Sequence, residues 1–140
     1  QVMLGYWQKD EANKETITED GWLKTGDYVE VTADDCITIV DRKKDMILVS
    51  GFNVFPNEIE DWVNRHPSVL ECAAIGVPNE RTGEAVKLFV VPKDQEISFE
   101  EITSHCKKGL TPYKVPREFS VVEDLPKSNI GKILRRELRE

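Results

Sequence analysis

Two apolar, β-prone runs, residues 69–77 and 85–91, flank the turn-forming string Pro78-Asn79-Glu80-Arg81-Thr82-Gly83 and read as a pair of buried strands. Such strands need other elements to cover them, and the neighbouring sequence supplies helices. Upstream, Pro56 suits the first position of a helix, and Ile59, Trp62, Val63 and His66 follow at helical spacing until Pro67 stops it. Downstream, Ser98 and Glu101 form a capping box, and Phe99, Ile102 and Cys106 line one side of a helix running to about Gly109. Pro112 and Pro116 then frame an irregular turn before a further strand over residues 118–122.

Residues 36–41 and 46–49 are shorter strand-like runs, separated by the charged joint Arg42-Lys43-Lys44-Asp45, and Gly51 breaks the second. The order strand, helix, strand, strand, helix, strand predicts a small α+β domain, a sheet of about three strands flanked by helices, with its compact body beginning near Lys44. The preceding residues, a β-rich strip, hold too few elements for a core of their own and are expected to end a larger domain. The expected division is 1–43 and 44–140. Gln1-Val2-Met3-Leu4-Gly5 offers neither a helix cap nor a plausible start, so the sequence reads as a piece of something longer.

Composition removes several function classes. The formal net charge of −7 over 140 residues argues against a nucleic-acid module, so any anion site must be local. No run approaches the roughly 18 apolar residues needed to span a bilayer. Cys36, Cys72 and Cys106 are widely spaced and odd in number, which fits neither a disulfide framework nor a metal site and reads as reduced thiols in a cytosol. His105 and Cys106 are sequence neighbours on a helix, and their side chains diverge too far to act as base and nucleophile.

The chemistry is concentrated near the end of the chain, in Pro126-Lys127-Ser128-Asn129-Ile130-Gly131-Lys132-Ile133-Leu134-Arg135-Arg136-Glu137-Leu138. Lys132 follows a glycine and is expected at the mouth of a short basic helix, from which it can deliver its charge to phosphate or carboxylate oxygens. A phosphate-cradling P-loop is excluded, because Pro126 and Ile133 stand where that motif needs Gly and Ser or Thr. The other reading is a solvated cationic helix end, Arg135, Arg136 and Arg139 balanced by Glu137 and Glu140.

Three blocks occur in a fixed order. They are Gly21-Trp22-Leu23-Lys24-Thr25-Gly26-Asp27; Asp41-Arg42-Lys43-Lys44-Asp45-Met46-Ile47 through Ser50-Gly51-Phe52-Asn53-Val54-Phe55-Pro56-Asn57-Glu58-Ile59-Glu60; and residues 126–138. Together they resemble the adenylate-forming enzymes, and the second and third are most similar to those of bacterial long-chain fatty acid CoA ligases. The resemblance implies a large amino-terminal domain holding ATP with Mg2+ and the fatty acid, and a small mobile carboxy-terminal lid, to which most of this chain corresponds.

By the same resemblance, Lys132 is the catalytic lysine of adenylation, Asp27 and Arg42 bind the ribose of the nucleotide, and Lys44 is the hinge of the lid. Ser50, Gly51 and Phe52 form the loop that receives CoA, and no residue of this chain holds a metal. The implied partners are the amino-terminal domain of the same chain, fatty acid, ATP and CoA, with no nucleic acid. The implied location is the cytoplasm, with peripheral contact of the whole enzyme with the inner face of the cell membrane left open. Two alternatives stay open: an acyl-AMP ligase that loads an acyl carrier protein, and a non-catalytic binding or adaptor domain of the same fold.

Overall fold

The computed structural model describes residues 3–93 and 97–139; Gln1, Val2 and Glu140 of the sequence reading lie outside them. Helix α1 (Asp10–Thr16) comes first, and strands β1 (Asp27–Val31) and β2 (Ile37–Arg42) follow as an antiparallel ladder of their own. The strip is therefore not purely β. Helix α1 buries no residue, so it carries no apolar periodicity by which the sequence could announce it. No described residue before Asp41 is buried. Val29 stands opposite Ile39 and Val31 opposite Ile37, leaving one apolar face of the ladder open to solvent.

The main sheet has five strands rather than about three. Strand β3 (Ile47–Val49) and strand β4 (Phe52–Val54) make a hairpin across the two-residue turn Ser50-Gly51, with Val49 opposite Phe52. Both turn residues have positive φ, 51° and 83°, which matches the right-handed twist of paired strands. Gly51 thus turns the chain back into the sheet instead of ending the strand. Strands β5 (Val69–Asn79) and β6 (Gly83–Pro92) form the long central hairpin. Strand β3 joins β6 at Val49 and Gly83, and strand β7 (Glu118–Val121) lies parallel to β6 further along the same edge.

The faces are covered differently. Helix α2 (Pro56–Val63) and helix α3 (Phe99–Cys106) share one face with the central strands; Ile59, Val63, Ile102 and Cys106 are fully buried there against Cys72, Ala74, Leu88 and Val90. Ser98 and Glu101 cap α3 reciprocally, as the sequence predicts. The opposite face, carrying Ala73 and Val91, is covered by Leu125, Ile133 and Leu138 from the last part of the chain. Alternation of side chains along β5 and β6 requires both covers, so helices flank only one side.

That second cover explains a difference at the end of the chain. In place of a short basic helix, residues 126–134 form a tight reverse turn, pinned by the bridge between Lys127 and Ile133, and only a single 3-10 turn (Arg135–Leu138) follows. Leu134, with ψ 77°, is not helical, and this bend lets Ile133 and Leu138 reach the sheet. Replacing Ile102, which has no exposed surface, by alanine should lower the unfolding free energy by about 2–5 kcal/mol. Leu70→Ala, at an exposed position, should stay within about 0.5 kcal/mol, and comparison of their urea midpoints checks the assignment of the core.

Candidate functional site

Asp27 and Arg42 sit directly opposite each other at one end of the β1–β2 ladder, and the Lys43 amide donates to the Gly26 carbonyl at 2.8 Å to close that end. The reverse turn at residues 126–134 meets them there. Asp27, Arg42, Gly131 and Lys132 line one cleft of about 470 Å³, together with Ile39, Asp41, Asn57, Ile133 and Arg135. Residues some 90 to 105 positions apart in the sequence are thus assembled around a single space.

Lys132 is held by its backbone. The Ser128 amide donates to the Lys132 carbonyl at 2.8 Å, the Lys132 amide donates to Ser128 Oγ at 3.1 Å, and the Gly131 amide donates to the Ser128 carbonyl at 2.8 Å. Gly131 needs its φ of +78° to complete this turn, and its surroundings are open. Among the described residues, the Lys132 ammonium makes no ion pair. Nearby lysines contrast with it. Lys127 binds Glu71 at 2.6 Å and Asp124 at 2.9 Å, which hold its pKa above the ordinary value, and Lys114 binds Glu58 at 2.6 Å. A free ammonium beside an opposed carboxylate and guanidinium can receive an anion that also carries hydroxyl groups.

The reading of the tail as a solvated cationic helix end does not hold for Arg135. Its side chain is only 12% exposed, with Nη2 donating to Glu60 Oε2 at 2.7 Å and to Asn57 Oδ1 at 2.8 Å, and Nε donating to Glu60 Oε1 at 3.1 Å. Its Nη1 lies 3.4 Å from Asp45 Oδ2, and Arg139 reaches the other oxygen of the same carboxylate at 3.3 Å. Burial works against the charge of Arg135, but the bonds to Glu60 and the fields of Glu60, Asp45 and Asp41 outweigh it and raise its pKa. Glu60 is itself buried, and its Oε1 also accepts from the Ala74 amide at 2.8 Å. Sequence reasoning missed Asp41, Asn57, Glu60 and Arg135. The available signal was the spacing of Asn57 and Glu60, three apart on α2 and so on one side of it.

Lys44 borders an adjoining cleft of about 400 Å³ with Arg42, Asp45, Lys132, Arg136 and Arg139. It lies in an exposed turn, which the Asp45 and Met46 amides close onto the Arg42 carbonyl at 3.0 and 3.2 Å. Ser50, Gly51 and Phe52 border neither cleft. They form the tip of the β3–β4 hairpin, where the Ser50 amide donates to the Thr82 carbonyl at 2.8 Å and Phe52 stacks on Tyr113 with ring centres 4.5 Å apart. The structure brings Asp27, Arg42, Lys44 and Lys132 together, and leaves the Ser50-Gly51-Phe52 tip elsewhere.

His105, Cys72 and Cys106 are in structural positions. The Trp62 indole N–H donates to the His105 carbonyl at 3.0 Å while His105 Nε2 donates to the Trp62 carbonyl at 2.9 Å, a reciprocal clasp between α2 and α3. Burial pushes the Cys106 thiol up to about 11 and Cys72 higher still, whereas Cys36 is exposed. Among the described residues no group of three His, Cys, Asp or Glu side chains could hold a metal ion.

A sequence profile described as the AMP-binding enzyme C-terminal domain matches residues 58–132. The long-chain-fatty-acid–CoA ligase of Yersinia pestis is 59% identical over 140 residues, which cover all of this chain and 25% of that protein, so the chain spans about a quarter of the length of the curated relatives it matches. Among solved structures, ATP-bound MatB from Rhodopseudomonas palustris aligns with a TM-score of 0.90 at 34% identity, over 99% of this chain and 28% of its own. Apo MatB from the same organism aligns at 0.69, also at 34% identity, over 96% and 27%.

Two outcomes are expected. Arg135→Ala leaves Glu60 buried without its partner and should cost about 3 kcal/mol in urea unfolding; a cost below about 1 kcal/mol would show the pair to be dispensable. Ellman's reagent should titrate Cys36 alone in the folded chain and all three thiols in denaturant. The folded Cys106 thiol keeps its proton until about pH 11, whereas its ordinary pKa is 9.0, so stability should be unaffected below pH 9 and fall as pH rises towards 11.

Proposed function

The chain belongs to the AMP-binding enzyme C-terminal domain family, and from that premise we propose that it forms the lid of a long-chain fatty acid CoA ligase, with Lys132 assisting formation of the acyl adenylate. One observation carries this reading: Lys132, unpaired among the described residues, lines a single cleft with Asp27 and Arg42. The name and 59% identity of the Yersinia pestis relative support the choice of fatty acid and CoA.

The reaction has two steps. A fatty acid carboxylate oxygen attacks the α-phosphorus of ATP, forming the acyl adenylate and expelling pyrophosphate; the CoA thiol then attacks the acyl carbon and AMP leaves. Asp27 accepts from the ribose hydroxyls and Arg42 donates to them. Lys132 bridges the attacking carboxylate and the α-phosphate, reducing the repulsion between two anions and stabilising the negative charge that crowds the phosphorus in the transition state. The Mg2+ that accompanies ATP is assigned to the amino-terminal part of the parent protein on the family resemblance alone.

The second step needs a different arrangement, because the Ser50-Gly51-Phe52 tip stands away from the cleft. Rotation of the lid about Lys44 withdraws Lys132 and brings that tip in, with Gly51 admitting the pantetheine arm of CoA to the backbone. The better fit to ATP-bound than to apo MatB supports assigning the present arrangement to the first step. The amino-terminal domain of the parent covers the open apolar face of Val29, Val31, Ile37 and Ile39.

No helix among the described residues is long and apolar enough to cross a membrane. Ile59 and Val63 of α2 are committed to the core, so that face of the helix is not offered to a bilayer. In the full-length parent, Lys132→Ala should lower fatty-acid-dependent ATP–pyrophosphate exchange by about 10²- to 10³-fold while sparing thioester formation from supplied acyl adenylate. Equal loss of both activities would remove the role given to Lys132.

A further inference from the structure

The side chain of Asn57 bonds both to the β1–β2 ladder and to Arg135 of the segment that carries Lys132. Its side-chain Nδ2 donates to the Val40 carbonyl at 3.1 Å, and its backbone amide donates to Asp41 Oδ2 at 3.1 Å. Its Oδ1 accepts from Arg135 Nη2 at 2.8 Å. Val40 and Asp41 precede the joint at Lys44, whereas Asn57 and Arg135 follow it. Helix α2 has no capping side chain of its own; the nearly buried Asp41 carboxylate takes that place from across the joint, while its other oxygen accepts from the Arg42 amide at 2.7 Å.

We propose that Asn57 is a positioning residue for adenylation, which with Asp41 latches the lid in the pose that sets Lys132 in the nucleotide cleft and lets go when the lid turns. The inference rests on the two-pose reading above. The bonds sort by what rotation must do to them. Arg135 with Asn57, Glu60 and Asp45 lies wholly after the joint and travels with the lid, keeping the Lys132 turn fixed to α2. The bonds of Asn57 to Val40 and Asp41 cross the joint and exist in one pose only. A contact present in one pose shifts the balance between poses by its own net strength, and one neutral hydrogen bond between partly buried groups is worth about a factor of ten.

The substitution that separates the two roles is Asn57→Asp. It keeps an acceptor for Arg135 but replaces the donor to Val40 with a carboxylate oxygen, which repels that carbonyl and the neighbouring Asp41. In the full-length parent, ATP–pyrophosphate exchange should fall about tenfold, thioester formation from supplied acyl adenylate should stay within about twofold, and the thermal midpoint should hold. A parallel fall of both half-reactions with a lowered midpoint would make Asn57 a structural residue and overturn the proposal, as would unchanged exchange.

A second measurement does not depend on the identity of the acid. Spin labels at Cys36 on the ladder side of the joint and at Glu80→Cys, an exposed turn beyond it, report the distance between the two parts in the same protein. Asn57→Asp should move the distance distribution away from the unmutated one, and an unchanged distribution overturns the latch. If the unmutated parent shows no fatty-acid-dependent exchange, the ligase reading fails, and the distance measurement alone still decides the latch.

Discussion

The largely buried guanidinium of Arg135 is the constraint on which this end of the protein depends. It makes bonds of 2.7 to 3.1 Å to Asn57 and Glu60 on α2 and a looser contact with Asp45 beside the joint. A charge in so little water is tolerated only when its donors are matched and its partners are themselves satisfied. Here Glu60 is held by the Ala74 amide as well, so the network is rooted in the central hairpin. Lys132 lies three residues before Arg135 and inherits its position from that anchor.

Fixed and free charges are consequently divided along the same segment. Lys127 is pinned to the sheet by Glu71 and Asp124, Arg135 is pinned to α2, and Arg139 leans on Asp45. Between two anchored cations the chain makes a turn whose own amides and Ser128 fold it back on itself, and this turn displays Lys132 without a partner among the described residues. A lysine held by its backbone, with its ammonium left unneutralised, keeps its electrostatic attraction for an incoming anion. Had it been paired as Lys127 is, a ligand would first have had to displace a carboxylate.

The same economy appears at the tip of the β3–β4 hairpin. The Ser50-Gly51 turn has the positive φ values that two-residue hairpins need, and the absence of a side chain at Gly51 leaves the tip open. Phe52 is half exposed yet ordered by its stack on Tyr113. The turn that carries Lys132 and the tip around Gly51 are thus both attached to the five-stranded sheet, the first through Ile133 and Leu138 on its far face and the second through the β3–β4 hairpin.

Much of this was legible in the sequence. The central hairpin, both helices of the main sheet and the capping box at Ser98 follow from periodicity and local hydrogen-bonding rules, which act over a few residues and leave a pattern in them. The sequence also singled out Lys132, because a glycine before a lysine is a local signal, and Asp27 and Arg42, because their blocks resemble those of a known family. The fifth strand was less visible, since Gly51 looks the same whether it ends a strand or turns it into a partner. Helix α1 left no apolar stripe to read.

What only the tertiary structure decided are the long-range choices among chemically equivalent residues. Arg135 and Arg136 are adjacent arginines, yet the side chain of one is 12% exposed and bonded to Glu60, Asn57 and Asp45 while that of the other is 79% exposed. Lys127 and Lys132 differ in a related way, one paired with Glu71 and Asp124 and the other without an ion pair among the described residues. Which member of each pair turns inward depends on where Ile133 and Leu138 must go to cover the far face of the sheet. That requirement is a property of the folded sheet as a whole, and no short window of sequence contains it.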